Sequence, residues 1–501
     1  MPRTLAHSPP AGRTSDPLDG RLVAGLLALA TAVAAALRLP FLATQSLWFD
    51  ETYTAHVMQA GSLGELWHRI GASESTPPLF YLLSWAWTRL VSSDGAAALR
   101  TVSALALVAA VPIAYAALRR LAGEAAALAV AALLAVSPLM SWYALDARAY
   151  GLLVLTGLLS VWAFALVLET PAWRRLALWA LAAAAAVWTH WFGGFVVLAE
   201  LLALLWLRPA ARRRALVAGG AVLLALVPLI GLLREQTGDD RAAFIGDASL
   251  TGRLEQLARQ FAAGPNVPRA WLEAAMLLLA LAALALGTWL TARRARGPAA
   301  AKGARALLAL AAIGLLVPFA LAATGGYDRF DVRNVLFAWP LLAALAAPAL
   351  LRLRAAPLAA LIALGLATTL WTQASWPYEN ADWRTAIARV EARGPQRPVI
   401  VLTPLGEPVA ALYLHRAPAA ATLVTSRAWL VVEPARSAGR RDLHAVDAPL
   451  VASLLTAFPR HAETRIHGFR VIELDAPAPV ALDPAQLPGA ALFPALRSRA
   501  G

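Results

Sequence analysis

The sequence predicts an all-α polytopic membrane protein of about eleven transmembrane helices, followed by a small C-terminal extracytoplasmic α/β domain. Composition points there first: of 501 residues, 59% are hydrophobic and 15% charged, against roughly 45–50% and 25% in a soluble domain. Apolar runs then recur almost to residue 372, and basic residues gather in the short loops between them. The mean hydropathy of +0.61 excludes a disordered chain, a secreted disulfide scaffold and a cytosolic enzyme. With no cysteine in the chain, thiol nucleophiles and thiolate metal sites are excluded as well. A net charge of +14 would suggest nucleic acid in a soluble chain; here its placement in loops matters more, and no nucleic-acid partner is expected.

Residues 1–20 are polar and basic at Arg3 and Arg13, and read as a disordered cytoplasmic tail. A membrane domain over 21–372 opens with an apolar run at 22–39, for which a cleaved leader is the competing reading, opposed by the many spans that follow. Further runs lie near 98–118, 122–139, 149–168, 175–190, 193–208, 215–233, 271–291, 305–323, 334–350 and 356–372. With the N-terminus inside, Arg119 and Arg120, Arg174 and Arg175, Arg208 with Arg212 to Arg214, Arg293, Arg294, Arg296 and Lys302, and Arg352 with Arg354 all fall on the cytoplasmic side, as short basic loops do. The opposite side then holds Asp50, Glu51, Asp146, His190, Asp328 and Asp331. Counting the segment 77–91, PPLFYLLSWAWTRLV, as a span would invert every later loop. It reads instead as a helix in the outer interface, where Tyr81, Trp85 and Trp87 suit the headgroup region. From 373 the apolar blocks shorten. PVIVLT (398–403) and FRVIEL (469–474) have the length and β-branching of strands, which places a mixed α/β domain over 373–501 on the outside.

Four outer segments carry candidate chemistry. Asp50 and Glu51 sit in SLWFDETYT just past the first span. A carboxylate at a low-dielectric boundary is a competent acceptor for a hydroxyl proton; Asp at this position is equally suited to cap a helix over Thr52–Gln59. Asp146 and Arg148 lie in SPLMSWYALDARAYG, either as reactive groups or as a local ion pair in an aromatic belt. His190 in WTHWFGG is a ligand candidate or an interface residue. Arg329 and Arg333 in GYDRFDVRNVLFAWP are spaced to share a helix face if a helix begins there, where guanidinium forks could hold a phosphate; the alternative is snorkelling or neutralising Asp328 and Asp331. Glu200, inside a span, reads as part of a proton path or as paired near Arg208.

SLWFDETYT, STPPLFYLLSWAWTRL and SPLMSWYALDARAYGLL, in this order, resemble motifs of the polytopic glycosyltransferases of the GT-C fold, in particular the bacterial protein-O-mannosyltransferase and aminoarabinose-transferase-like group. THWFGG, RNVLFAWP and NADWRTA resemble weaker segments of the same family, so the resemblance runs from about residue 40 to 390. It implies a GT-C-like membrane domain in a bacterial plasma membrane, transferring a mannose-like or other sugar from a polyprenyl-phosphate carrier to a hydroxyl of an envelope glycan, lipid or protein, with inversion. Asp50 and Asp146 would be catalytic, Asp50 as base. Glu51, Arg148, His190, Arg329, Arg333 and Tyr81 would bind substrate, with Tyr81 in the segment lining the lipid's path. Some relatives use a divalent cation (Mg, Mn or Zn); the sequence shows no dense ligand cluster, so the metal stays open. Two other classes compete. A secondary transporter or flippase of envelope precursors would place its ionisable residues near the midplane, and a membrane anchor would leave the function to the outer tail.

Overall fold

The computed structural model describes residues 19–237, 245–296, 301–375, 377, 380–403, 406–433 and 448–495; the tail read at 1–20 falls outside these except for its last two residues. Every apolar run named above lies on a helix. Asp19 caps α1 (Gly20–Ala36), accepting from Arg21 N at 3.0 Å. Three short helices follow, α2 (Phe49–Met58), α3 (Leu63–Ser73) and α4 (Leu79–Leu90). The membrane body continues through α5 (Ala96–Leu118), α6 (Glu124–Val136), α7 (Pro138–Ala144), α8 (Tyr150–Glu169), α9 (Trp173–Thr189) and α10 (Gly193–Leu207). Beyond these come α11 (Arg212–Ala225), α12 (Ile230–Thr237), α13 (Leu250–Ala263), α14 (Ala270–Ala295), α15 (Ala301–Ala323), α16 (Trp339–Leu350) and α17 (Ala356–Gln373).

Among the described residues, seven helices are long and apolar enough to cross a membrane, or eight if the bent pair α6 and α7 forms one span. The count of about eleven exceeds this because α9 has 17 residues, α10 has 15, and the helix at Leu336–Leu350 is likewise short. The chain is a multi-pass membrane protein. The segment 77–91 forms α4, only 12 residues long. Trp85 Nε1 and the Arg89 guanidinium both donate to Ala60 O, and Arg89 lies 3.7 Å over the Trp85 ring.

The 56° bend between α6 and α7 falls at Ser137–Pro138, where proline cannot continue the helical hydrogen-bond ladder. Ser137 caps α7, accepting from Met140 N at 3.3 Å. Two nearby carbonyls are satisfied from other helices: Arg38 Nη2 donates to Leu134 O at 2.8 Å and Thr369 Oγ1 to Val136 O at 3.1 Å. A break at membrane depth is tolerable only when its polar groups are answered in this way. Close helix contacts depend on missing side chains: a Cβ on Gly287 would come within 2.1 Å of Leu345 O, and one on Gly151 within 2.8 Å of Ser103 O.

After the membrane body, α18 (Trp383–Arg393), α19 (Glu407–Leu414) and α20 (Ala448–Ala457) flank a sheet of β1 (Val399–Leu402), β2 (Leu423–Val432), β3 (Arg460–Ile466), β4 (Phe469–Leu482) and β5 (Ala490–Phe493). The order is β3-β4-β2-β1-β5. β1 and β2 are parallel with Ile400 opposite Leu430, and the other pairings are antiparallel, with Leu430 opposite Ile472 in β2 and β4. Both predicted strands are present, in β1 and β4. β2 escapes a sequence reading because Thr425, Ser426 and Arg427 interrupt its apolar pattern, where the register shifts. One sheet face buries Val399, Val401, Trp429 and Phe469 against Trp383 and Ile387; the other buries Ile400, Leu402 and Leu430 against Leu454 and Phe458.

The sheet domain grips the loop between α1 and α2. Arg384 donates to Ala43 O at 3.0 Å and Thr44 O at 2.9 Å, Tyr413 Oη accepts from Leu47 N at 2.8 Å, and Phe49 packs with the Trp383 cluster.

Candidate active site

The site is built where the loop between α1 and α2 meets the turn between α7 and α8. Arg100, near the start of α5, and Glu51 are both fully buried and form a two-pronged pair, with Nε to Oε1 at 2.7 Å and Nη2 to Oε2 at 2.6 Å. Burying two charges is costly unless their remaining hydrogen-bonding groups are satisfied. Here Arg100 also donates to Leu42 O, Gln45 O and Ser46 O at 2.9–3.1 Å, and Glu51 accepts from Ala147 N at 2.9 Å and Trp48 N at 3.2 Å. Glu51 therefore bolts the two loops together and has no face left toward a substrate.

That bolt also fixes Asp50. The helix begins at Phe49 with Trp48 as cap residue, and Glu51 answers the Trp48 N–H, so Asp50 does not cap it. Neighbouring helical residues point about 100° apart, so with Glu51 turned inward Asp50 faces elsewhere. Its Oδ2 lies 3.1 Å from Arg333 Nη1, and the two side chains are 20% and 17% exposed. Arg333 also approaches Asp331 Oδ1 at 3.5 Å and lies 6.0 Å over the Tyr150 ring. Burial works against its charge, but Tyr150, Asp331 and Asp50 outweigh this and raise its pKa.

In the second loop, Arg148 N donates to Asp146 O at 2.8 Å, making a tight turn. Ser103 Oγ donates to Arg148 O at 2.9 Å, beside the close approach at Gly151. The Arg148 guanidinium reaches Asp50 O at 3.1 Å, Thr54 Oγ1 at 3.4 Å and Glu74 Oε2 at 2.7 Å. Asp146 is buried. Its Oδ1 accepts from Trp48 Nε1 at 3.2 Å, while its Oδ2 meets no donor among the described residues. Burial, then Glu51 and Asp50, push its pKa up to about 8, so near neutral pH it is mainly a neutral acid able to donate a hydrogen bond.

His190 is buried beside Tyr150, with ring centroids 5.9 Å apart. Burial, then Arg333 and Arg148, lower its pKa to about 3. Its Nδ1 accepts from Phe192 N at 3.2 Å, which leaves the proton of the neutral ring on Nε2. Tyr81 is fully buried, its hydroxyl 2.9 Å from Thr76 Oγ1 on the Glu74 side of Arg148.

Arg329 and Arg333 do not share a helix face. Residues 328–331 are not helical, and the helical chain resumes only at Leu336. Arg329 Nη1 donates to Asp328 O at 3.1 Å, while Asp328 is claimed by Arg253 of α13 at 2.5 Å and 3.1 Å. Glu200 does not pair with Arg208: it accepts from Ser160 Oγ at 2.6 Å and Trp179 Nε1 at 2.8 Å, while Arg208 binds the carbonyls of Leu168 and Glu169. Glu74 and Arg100 were not singled out from sequence. Arg100 did leave a signal, since a lone arginine inside an apolar span calls for a buried counter-charge. Among the described residues no three His, Asp or Glu side chains come together in a way that could hold a metal ion.

A family model described as dolichyl-phosphate-mannose-protein mannosyltransferase matches residues 75–231, a stretch that includes Asp146, Arg148 and His190. No curated protein matches the chain. Among solved structures, ArnT from Cupriavidus metallidurans bound to undecaprenyl phosphate aligns at 14% identity and TM-score 0.55, covering 90% of this chain and 98% of that one. Its apo state gives 15% and 0.54 over the same shares. The oligosaccharyltransferase AglB from Archaeoglobus fulgidus, in complex with an inhibitory peptide and a dolichol-phosphate, aligns at 14% and 0.47 over 78% of this chain and 59% of that one. The chain has the GT-C fold, shared with ArnT over nearly its whole length.

Proposed function

We propose that on this GT-C frame the chain is an inverting glycosyltransferase of a bacterial plasma membrane. It moves a mannose-like or other sugar from a polyprenyl-phosphate carrier to a hydroxyl of an envelope glycan, lipid or protein on the outer face, where the C-terminal domain also lies. One observation carries this reading: a part-exposed carboxylate, Asp50, stands 3.1 Å from the guanidinium of Arg333, where spans end and outer loops converge. The pairing supports Asp50 as a proton acceptor and Arg333 as a phosphate ligand.

The acceptor oxygen attacks the anomeric carbon and gives its proton to Asp50, while the bond from that carbon to the phosphate oxygen breaks on the opposite side. The departing lipid phosphate gains one negative charge and needs no general acid. Arg333 meets that charge, and Arg148, held by Glu74, adds positive potential. Neutral His190 contributes an Nε2–H donor rather than charge. Before donor binding Asp50 is engaged by Arg333; a phosphate that claims Arg333 frees the base. Donor binding thus precedes efficient proton removal. Asp146 orients the acceptor as a neutral acid. Among the described residues no three His, Asp or Glu side chains come together to hold a metal ion, and no step here passes through one.

The test is to incubate the purified protein with a panel of polyprenyl-phosphate sugars and cell-envelope extract, following free lipid phosphate and glycosylated product. Asp50→Asn should lower transfer by about 100- to 10,000-fold with abundance near wild type. Release from no donor, or near-normal transfer by Asp50→Asn, would refute the reading.

A further inference from the structure

A cationic cluster lies on the face opposite the candidate site. α9 starts at Trp173 and ends beside His190, so its first turn is at the far end of the helix from the site. Arg174 and Arg175 stand there, and Arg208, Arg212, Arg213 and Arg214 join them from the link after α10 and the first turn of α11. α9 and α11 run side by side in the same direction: Arg214 Nη1 donates to Pro171 O at 3.1 Å at one end, and Trp188 Nε1 donates to Ala225 O at 2.9 Å at the other. Two of the six arginines are occupied in holding the fold. Arg175 donates to Leu166 O at 2.6 Å and Arg208 to Leu168 O and Glu169 O, answering the last carbonyls of α8. The other four are exposed. Arg212 spends its Nε on Leu205 O at 2.7 Å and Arg214 one nitrogen on Pro171 O, and none of the four is paired with a carboxylate among the described residues.

This placement is unfavourable for the protein alone. Helix starts attract acids, yet neither α9 nor α11 has one in its first turn. The neighbouring Glu169 is shared by Arg120 at 3.2 Å and Arg175 at 3.6 Å. Between residues 170 and 214 the sequence holds one acid, Glu200, and that is buried against Ser160 and Trp179. A loop that merely fixes orientation needs basic residues on one side; it does not need four unneutralised ones gathered at two touching helix starts. The surroundings select the counter-charge. Trp173 and Trp206 are exposed beside the cluster, and Leu178 of α9 with Leu216 and Val217 of α11 are exposed further along. An anion that carries hydrocarbon matches both parts, with its phosphate between guanidinium forks and its chains along the apolar stripe below. We propose that the starts of α9 and α11 form a binding site for an anionic phospholipid of the leaflet opposite the candidate site, its phosphate held by Arg174, Arg213 and Arg214. This goes beyond the transferase reading and stands without it. α11 leads through Val227–Leu229 into α12, whose Gln236 accepts from Trp191 Nε1 and donates to Thr76 O, each at 3.0 Å. A lipid clamped across α9 and α11 therefore braces the helices that lead to His190 and Gln236.

The experiment places the full chain in nanodiscs of phosphatidylcholine containing phosphatidylglycerol or, at equal charge, cardiolipin. Retained lipid is counted by native mass spectrometry, and the thermal midpoint is read in the same discs. Arg174→Gln/Arg213→Gln/Arg214→Gln is compared with Arg293→Gln/Arg294→Gln/Arg296→Gln, which removes equal charge from a second basic loop. Each arginine beside an anionic lipid is worth about fivefold in binding. Retention of anionic lipid should therefore fall about tenfold or more in the first triple variant and less than about twofold in the second. Anionic lipid should raise the midpoint of the wild type and leave that of the first triple variant unmoved. An equal fall in both variants reveals diffuse attraction to charge and overturns the site, as does unchanged retention in the first. Displacement of the lipid by soluble glycerol phosphate overturns the lipid as occupant. If the first triple variant fails to insert, Arg213→Gln alone decides: a fall of about fivefold supports the site, and wild-type retention overturns it.

Discussion

Asp50 and Asp146 face different surroundings, and their substitutions should separate accordingly. Asp146 has its pKa raised by burial to about 8, so its neutral form favours the folded state. That stability is fully present below the ordinary carboxyl range and is lost as pH rises through about 8. Wild-type transfer is therefore expected to fall above pH 8. Asp146→Asn keeps the shape of the neutral acid, and its rate should stay flat there while retaining far more activity than Asp50→Asn. A pH–rate profile of the three proteins checks this, and an unchanged alkaline limb in Asp146→Asn counts against it. The Glu51–Arg100 pair makes a different prediction. Glu51→Gln leaves a buried guanidinium uncompensated and should cost about 3–5 kcal/mol, whereas replacing both residues by methionine should recover much of that loss. Unfolding in detergent distinguishes the two outcomes. The first outer acid pair was legible in the sequence, but its division of labour was not. Adjacent carboxylates look alike until one of them meets Arg100, 49 residues further along.

At the scale of elements, apolar length predicted helix positions well because the bilayer requirement acts on each segment alone. It predicted their number as full spans less well, since α9 and α10 are short and the α6–α7 bend depends on partners far away in sequence. Thr369, which supplies one of those partners, lies 233 residues from Val136. Thr369→Val should lower stability by about 1 kcal/mol, in keeping with one interhelical hydrogen bond in a membrane. Gly151→Val should do more harm. It forces α8 away from Ser103 O, displacing the Arg148 turn, so transfer should fall along with the thermal midpoint. The idea that Arg329 and Arg333 share a face failed because spacing implies a shared face only inside a helix, and none covers 328–331. β2 was hidden for a related reason, since its polar centre makes sense only beside β4.

The whole molecule has a predicted sidedness. The cysteine-free chain allows single cysteines at exposed Ser93, Thr324, Arg213 and Arg294. An impermeant maleimide applied outside should label the first two and spare the last two; labelling 93 and 213 from one side would refute the topology. The grip of the sheet domain on the α1–α2 loop sets a further expectation: Arg384→Ala combined with Tyr413→Phe should slow transfer several-fold with donor binding preserved, since it loosens the loop that leads into the helix carrying Asp50. That grip joins positions 336 to 366 residues apart, so a ribosome must translate most of the message before the loop can be clasped. A nascent polypeptide threading into the bilayer accordingly completes this clasp only after residues 382 to 413 have emerged and folded.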